Sequence, residues 1–103
     1  MRGRYHVLVD PKADMKLFRH IEFLARVSEA AAEKLYTFYE NALNELSELP
    51  TICPRYYSQK PIDYELYCKP FGKRYRIVFE IIDDNVYIYD IQDCRQDTDK
   101  NYV

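Results

Sequence analysis

The chain has 103 residues, 48% of them hydrophobic and 31% charged, and a formal net charge of −2. That length supports one core rather than two, so residues 1–103 are expected to form a single domain. The balance excludes a disordered segment and a protein coated in positive charge, as a general nucleic-acid binder would be.

No apolar run reaches the roughly 18 residues of a membrane span, and no signal-peptide pattern opens the chain. Cys53, Cys68 and Cys94 are odd in number and lack metal-ligand spacing, which points to free thiols acting as small apolar fillers in a reducing cytoplasm. Eleven tyrosines and no tryptophan stand out; they are read first as edges of a small core, with an amphipathic contact surface as the alternative. Charge falls in blocks. Residues 1–27 carry six basic and three acidic groups, and 28–49 one and five; residues 55–76 carry six and two, and 77–103 two and seven. Such blocks suit one cationic region on an otherwise acidic protein.

In chain order, Tyr5 to Asp10 reads as a first strand covered on both faces. Asp10-Pro11 is a helix start, with Asp as N-cap and Pro at the first helical position. Leu17, Phe18, Ile21 and Leu24 then form an apolar stripe in a helix ending near Val27. Ser28 caps a second helix, in which Leu35, Phe38, Tyr39, Ala42, Leu46 and Leu49 recur at helical spacing until Pro50 stops it. With so short a connection the helices are expected to form an antiparallel hairpin. Thr51 to Ile62 reads as a loop. Its Arg55, Tyr56, Tyr57 and Lys60 combine cations with aromatics, as phosphate contact and base stacking require, but are taken as a solvated loop lying over the helices. Tyr64 to Lys69 is a short strand, and Pro70-Phe71-Gly72 turns it into the next.

The strongest local signal follows. Lys73 to Ile82 and Val86 to Asp97 are runs of β-branched and aromatic residues around Asp83-Asp84-Asn85, which predicts a β-hairpin. The element order is βααβββ, an α+β fold with a helix hairpin on a small, mainly antiparallel sheet. Strand alternation puts Tyr75, Ile77, Phe79 and Ile81 toward the helices, and Arg76, Val78, Glu80 and Ile82 outward. Simple registers add Tyr87, Tyr89, Ile91, Asp93 and Arg95 to the outer face. Val78, Tyr87, Tyr89 and Ile91 would then form an exposed apolar patch that a partner chain, a second copy or the chain's own tail should cover.

Neither a phosphate loop nor a metal constellation nor a hydrolytic triad is visible, so no cofactor and no metal are expected. Arg76 and Arg95, with Lys73 and Arg74 at the strand entrance, could instead grip phosphates. In RNA cleavage such arginines would stabilise the charged transition state, with Glu80, Tyr89 and Tyr102 available for proton transfer. The plain alternative is a cross-strand ion pair between Arg76 and Asp93.

The chain resembles the RelE/ParE superfamily of toxins from type II toxin–antitoxin modules, also called plasmid stabilization proteins. The resemblance is carried by Tyr5-His6-Val7-Leu8-Val9 with Pro11 and Ala13, by Ala31, Leu35, Leu46 and Leu49-Pro50, by Tyr75-Arg76-Ile77-Val78-Phe79, and by Asp93-Cys94-Arg95-Gln96-Asp97. It spans nearly the whole chain. It implies a growth inhibitor held inactive by a cognate antitoxin, as a hetero-oligomer with it or as a homodimer. RelE-type members cleave messenger RNA on the ribosome, whereas ParE-type members poison DNA gyrase without nuclease chemistry. Arg76 falls on the arginine that contacts the scissile phosphate in nuclease members, and Arg95 on or next to their second arginine. Tyr102 lies about one residue from a stacking or acid–base tyrosine. Glu65 and Tyr67 stand where RelE-type members carry lysines, and Asp93 where a histidine is common. The resemblance therefore implies a ParE-like, gyrase-directed toxin ahead of a ribosome-dependent endoribonuclease using Arg76, Arg95, Glu80 and Tyr102. An inactive relative kept as a binding module is the third alternative.

Overall fold

A computed structural model describes residues 4–95 and 101–103. The elements are strand β1 (His6–Val9), helices α1 (Pro11–Val27) and α2 (Glu29–Glu48), a single 3-10 turn (Pro50–Ile52), and strands β2 (Arg55–Tyr56), β3 (Leu66–Phe71), β4 (Tyr75–Ile82) and β5 (Asn85–Asp93). Among the described residues the sheet has five strands in the order β1-β5-β4-β3-β2. The expected βααβββ plan is present, with one addition. The segment read as a loop contains β2, which pairs Arg55 with Tyr67 and Tyr56 with Leu66. Its two paired residues are too short for any periodicity to announce them. The Gln96-Asp97 part of the expected ending lies outside the described residues.

Local chemistry sets the helix ends. The Asp10 carboxylate accepts from the Lys12 N–H at 2.9 Å ahead of Pro11 at the first helical position. Ser28 serves both helices: its N–H closes α1 on the Leu24 carbonyl at 2.7 Å, and its hydroxyl opens α2 by accepting from the Ala31 N–H at 3.1 Å. The inner stripes are Ala13 and Leu17 on α1 and Leu35, Tyr39, Ala42 and Leu46 on α2, all buried, with Ile21 and Leu24 packed beside them. Phe18, Phe38 and Leu49, expected in those stripes, are instead exposed. They sit at the margins of the apolar arc.

The helices cover one sheet face, where Tyr75, Ile77 and Phe79 of β4 meet Val86, Ile88 and Ile91 of β5. Burying each large aliphatic or aromatic side chain of this set contributes about 1.5–3 kcal/mol. β3 runs two residues further than its pattern indicated, through Pro70 to Phe71. The turn that follows is Gly72 to Arg74, with Gly72 and Lys73 both at positive φ (59° and 72°). Glycine occupies the first of those positions without strain. At the other end of β4, Asp83 takes φ 53° in the tight turn before Asn85.

Candidate functional site

The β4–β5 pairing carries a bulge that decides where the charged residues point. From the turn inward, Ile82 pairs with Asn85, Ile81 with Val86, Glu80 with Tyr87 and Phe79 with Ile88; the next pair is Val78 with Asp90, so Tyr89 has no opposite number. One extra residue shifts the alternation of everything after it. Ile91 therefore faces the helices and is fully buried. Its expected place on the outer face is corrected, and Asp93 and Arg95 turn the same way. Asp90 and Gln92 take the outer positions instead, opposite Val78 and Arg76.

The expected apolar patch shrinks accordingly. Val78 lies on the outer face but is 0% exposed. Tyr87 and Tyr89 do lie outward, half-buried, with ring centroids 5.1 Å apart and Tyr64 next in line at 5.6 Å from Tyr89. Glu80 belongs to this cluster: its carboxylate accepts from the Tyr89 hydroxyl at 2.6 Å. Burial first, and then that hydrogen bond, push the Tyr89 phenol well above its ordinary value. Glu80 is four residues from Arg76 along β4, roughly 13 Å at strand rise, and is engaged elsewhere.

Arg76 opens into an outer cleft of about 560 Å³. Its Nε donates to Gln92 Oε1 at 2.7 Å, and its guanidinium lies 5.2 Å from the centre of the Tyr56 ring. The Arg76–Asp93 pair weighed above does not form, because the bulge sends the two to opposite faces. Gln92 donates to the Tyr56 hydroxyl and to Asp90 Oδ2, both at 3.0 Å, and Tyr56 donates to the Val103 main-chain oxygen at 3.1 Å. Lys60 Nζ holds the main-chain oxygens of Asn101 and Tyr102 at 2.7 and 3.1 Å. Part of the outer face is thus covered by the chain's own residues 101–103. Arg55 and Tyr57 complete the rim, 5.0 Å apart from guanidinium to ring centre. The Arg55-Tyr56-Tyr57-Lys60 segment, taken as bland, is brought beside Arg76. None of the described residues lining this cleft is a histidine, an aspartate or a glutamate.

Beneath both faces lies Asp90, fully buried. It accepts from Lys16 Nζ at 2.8 Å and from the Tyr102 N–H at 2.7 Å, besides Gln92. β1 pairs with β5 only as far as Ile88. Beyond that point the β5 edge is open, and Lys16 of α1 and Tyr102 reach Asp90 there.

Arg95 lines a second cleft, of about 700 Å³, between α1 and the open end of the hairpin. Arg74 and Tyr102 also line it, with Lys16, Arg19 and His20 from α1. Lys73 is exposed on the turn beside it. The His20 ring meets the Tyr75 ring edge-on at 5.4 Å. Burial lowers the His20 pKa below its ordinary value; nearby Asp93 opposes that, while Lys16 and Arg74 add to it. The expected set Arg76, Arg95, Glu80 and Tyr102 is therefore dispersed. Arg95 and Tyr102 share the helix-side cleft, Arg76 has the outer one, and Glu80 sits in the tyrosine cluster. His20, Lys16, Asp90 and Gln92 were not singled out from sequence, although an aspartate amid the β-branched residues of β5 was a usable signal. Among the described residues no group of three or more His, Cys, Asp or Glu side chains could hold a metal ion, and no helix is long and apolar enough to cross a membrane.

Comparison with known proteins places the chain. It is similar in structure to a chain of the archaeal RelE–RelB complex from Pyrococcus horikoshii OT3, with a TM-score of 0.51 and 15% identity, covering 91% of this chain and 99% of that one. At that identity the likeness is one of fold. A search of curated proteins returns no significant match. The family described as ParE toxin of type II toxin-antitoxin system, parDE, matches residues 7–98. With that match over most of its length, the chain belongs to the ParE toxin family.

Proposed function

We propose that this ParE-family toxin arrests growth by binding DNA gyrase, without cleaving RNA, and that a cognate antitoxin neutralises it. The observation that carries this is the dispersal of the groups a nuclease would need together. Arg76 is anchored to Gln92 and Tyr56, its cleft holds no histidine, aspartate or glutamate side chain among the described lining residues, and Glu80 is committed to Tyr89. General acid–base catalysis needs a proton carrier within hydrogen-bond reach of the reacting group. Binding alone needs only a rigid, charged surface. The antitoxin is expected from membership of the family, and the exposed Met15, Phe18, Phe23 and Val27 on α1 offer apolar surface for a segment that folds on binding.

The test is induction of the chain in a bacterium. Growth arrest with gyrase-linked DNA breaks is expected, and Arg76→Gln should still arrest growth. Arrest with an intact chromosome would sink the gyrase target. Ribosome-dependent endonuclease activity is the second reading, favoured by one observation: Arg55, Tyr56, Tyr57 and Lys60 gather beside Arg76, as phosphate and base contact require. Mapped 5′ ends at the ribosomal A site, lost in Arg76→Gln, would establish it instead.

A further inference from the structure

The helix-side cleft has the makings of a binding site separate from the outer cleft of Arg76. Three arginines from three different elements line it: Arg19 of α1, Arg74 of the β3–β4 turn and Arg95 after β5. Facing them is one carboxylate, Asp93, which already accepts from the Arg95 N–H at 2.9 Å and lies 3.7 Å from the Arg95 Nε. Lys16, at the floor, is neutralised by Asp90. Three arginines against one aspartate leave two positive charges among the described lining residues, with His20 neutral at physiological pH. The Arg74 Nε is buried and has no hydrogen-bond partner among the described residues. It therefore spends no bond on a protein acceptor, and the guanidinium charge is left uncompensated. The remaining walls are apolar or aromatic, with Phe23 65% and Tyr102 40% exposed at the mouth. A volume of about 700 Å³ is that of a small-molecule site.

We propose that this cleft binds a nucleoside monophosphate, with its phosphate among Arg19, Arg74 and Arg95 and its base against Phe23 and Tyr102. A phosphate monoester is a dianion, which matches the two uncompensated charges. Its tetrahedral oxygens accept the forked donors of several guanidinium groups at once, whereas a single carboxylate has two oxygens and one charge. Aromatic side chains at the mouth suit any base, because every base has a stacking face. The site lies across the sheet from Arg76 and is independent of whether gyrase or the ribosome is the target.

The full chain is titrated with 5′-AMP and followed by calorimetry and by amide chemical shifts. Saturable binding is expected, with shifts confined to residues 16–24, 74–75, 93–95 and 102. Arg19→Ala and Arg74→Gln should each weaken it by about tenfold or more, as loss of a charged hydrogen-bond donor does. Arg26→Ala removes the same charge from the same helix outside the cleft and should leave affinity within about twofold. Inorganic sulfate, a dianion across the whole pH range, should compete with AMP and move the His20 imidazole titration upward. Four results would overturn the proposal: no saturation, equal weakening by Arg26→Ala, adenosine binding as tightly as AMP, or a hexaglutamate peptide displacing AMP better than sulfate does. The last would make the cleft a dock for an acidic peptide. Should Arg74→Gln fail to fold, Arg19→Ala, on the exposed face of α1, still decides the matter.

Discussion

Arg76 and Arg95 belong to one hairpin, yet they line clefts of opposite character. In the outer cleft the charged group is tied down: Arg76 meets Gln92, Gln92 meets Tyr56 and Asp90, and residues 101–103 close over the network. In the helix-side cleft, among the described residues, Arg74 has a buried nitrogen without a partner and three arginines share one aspartate. The first arrangement fixes the shape of the sheet face, and the second leaves charge unanswered. An arginine in a strand says little about function by itself. What its donors already touch says more, because a saturated guanidinium has little left to offer a ligand.

The bulge at Tyr89 creates this difference, so inserting an alanine between Val78 and Phe79, which gives Tyr89 a partner and removes the bulge, is the most severe way to break it. Unbroken alternation would turn Ile91 to solvent and drive Asp90 and Gln92 toward the helices. Exposing an isoleucine forfeits about 1.5–3 kcal/mol, and each buried polar group left without its partners adds about 1–3 kcal/mol. A loss of at least about 4 kcal/mol in urea denaturation is expected; an unchanged midpoint would mean that the bulge does not set the two faces. Asp90→Ala comes next. It breaks the buried pair with Lys16 and removes the acceptor for the Tyr102 N–H, and should cost about 3 kcal/mol. Replacing both partners by apolar residues (Lys16→Met with Asp90→Leu) should restore the share due to the unpaired lysine, while the Tyr102 N–H and Gln92 stay without their acceptor.

How much of this was legible in the sequence depends on the range of the interactions. Asp10-Pro11, Ser28 and Pro50 act within one helical turn, and the β4–β5 hairpin is held by its own tight turn, so all could be read directly. The faces of β5 beyond Tyr89 could not be read by simple alternation. The trace was there, however: the apolar residues stand at Val86, Ile88 and then Ile91, and a step of three in a strand is what a bulge leaves behind. Ile91 was misplaced because the alternation was carried through that step. β2 and the gathering of Tyr56 and Lys60 around Arg76 depend on strand-edge contacts between residues dozens of positions apart, which no local pattern encodes.

A gentler change separates the clefts without unfolding either. Gln92→Leu removes the acceptor for the Arg76 Nε and the donor to Tyr56, and should cost about 1–2 kcal/mol by thermal or urea unfolding. It should loosen residues 101–103, visible as faster amide exchange at Tyr102, whose N–H is held by Asp90. AMP binding in the helix-side cleft should weaken only slightly, because the arginines that hold the phosphate are untouched and only Tyr102 at the mouth is loosened. An equal loss of both would show that the two clefts form one coupled site.

The smallest effect concerns His20. Its folded-state pKa lies below the ordinary 6.5, with burial the leading cause. The unfolded chain therefore takes up the proton more readily than the folded one, so stability is fully present above pH 6.5 and declines as pH falls through the lowered folded value. The ring is only half-buried, which limits the effect. His20→Gln should flatten the dependence of the urea midpoint on pH between about 7 and 5, a window set by the unfolded value and the downward shift. Sulfate should act in the opposite direction on the native protein: a dianion beside Arg74 favours the imidazolium, raises the His20 pKa and lessens the acid loss of stability. Sulfate held by the arginines should stabilise His20→Gln as well, so the pH dependence of the effect is what decides. If it persists unchanged in His20→Gln, the anion lies away from His20 and the helix-side cleft shares the self-sufficiency of the outer one.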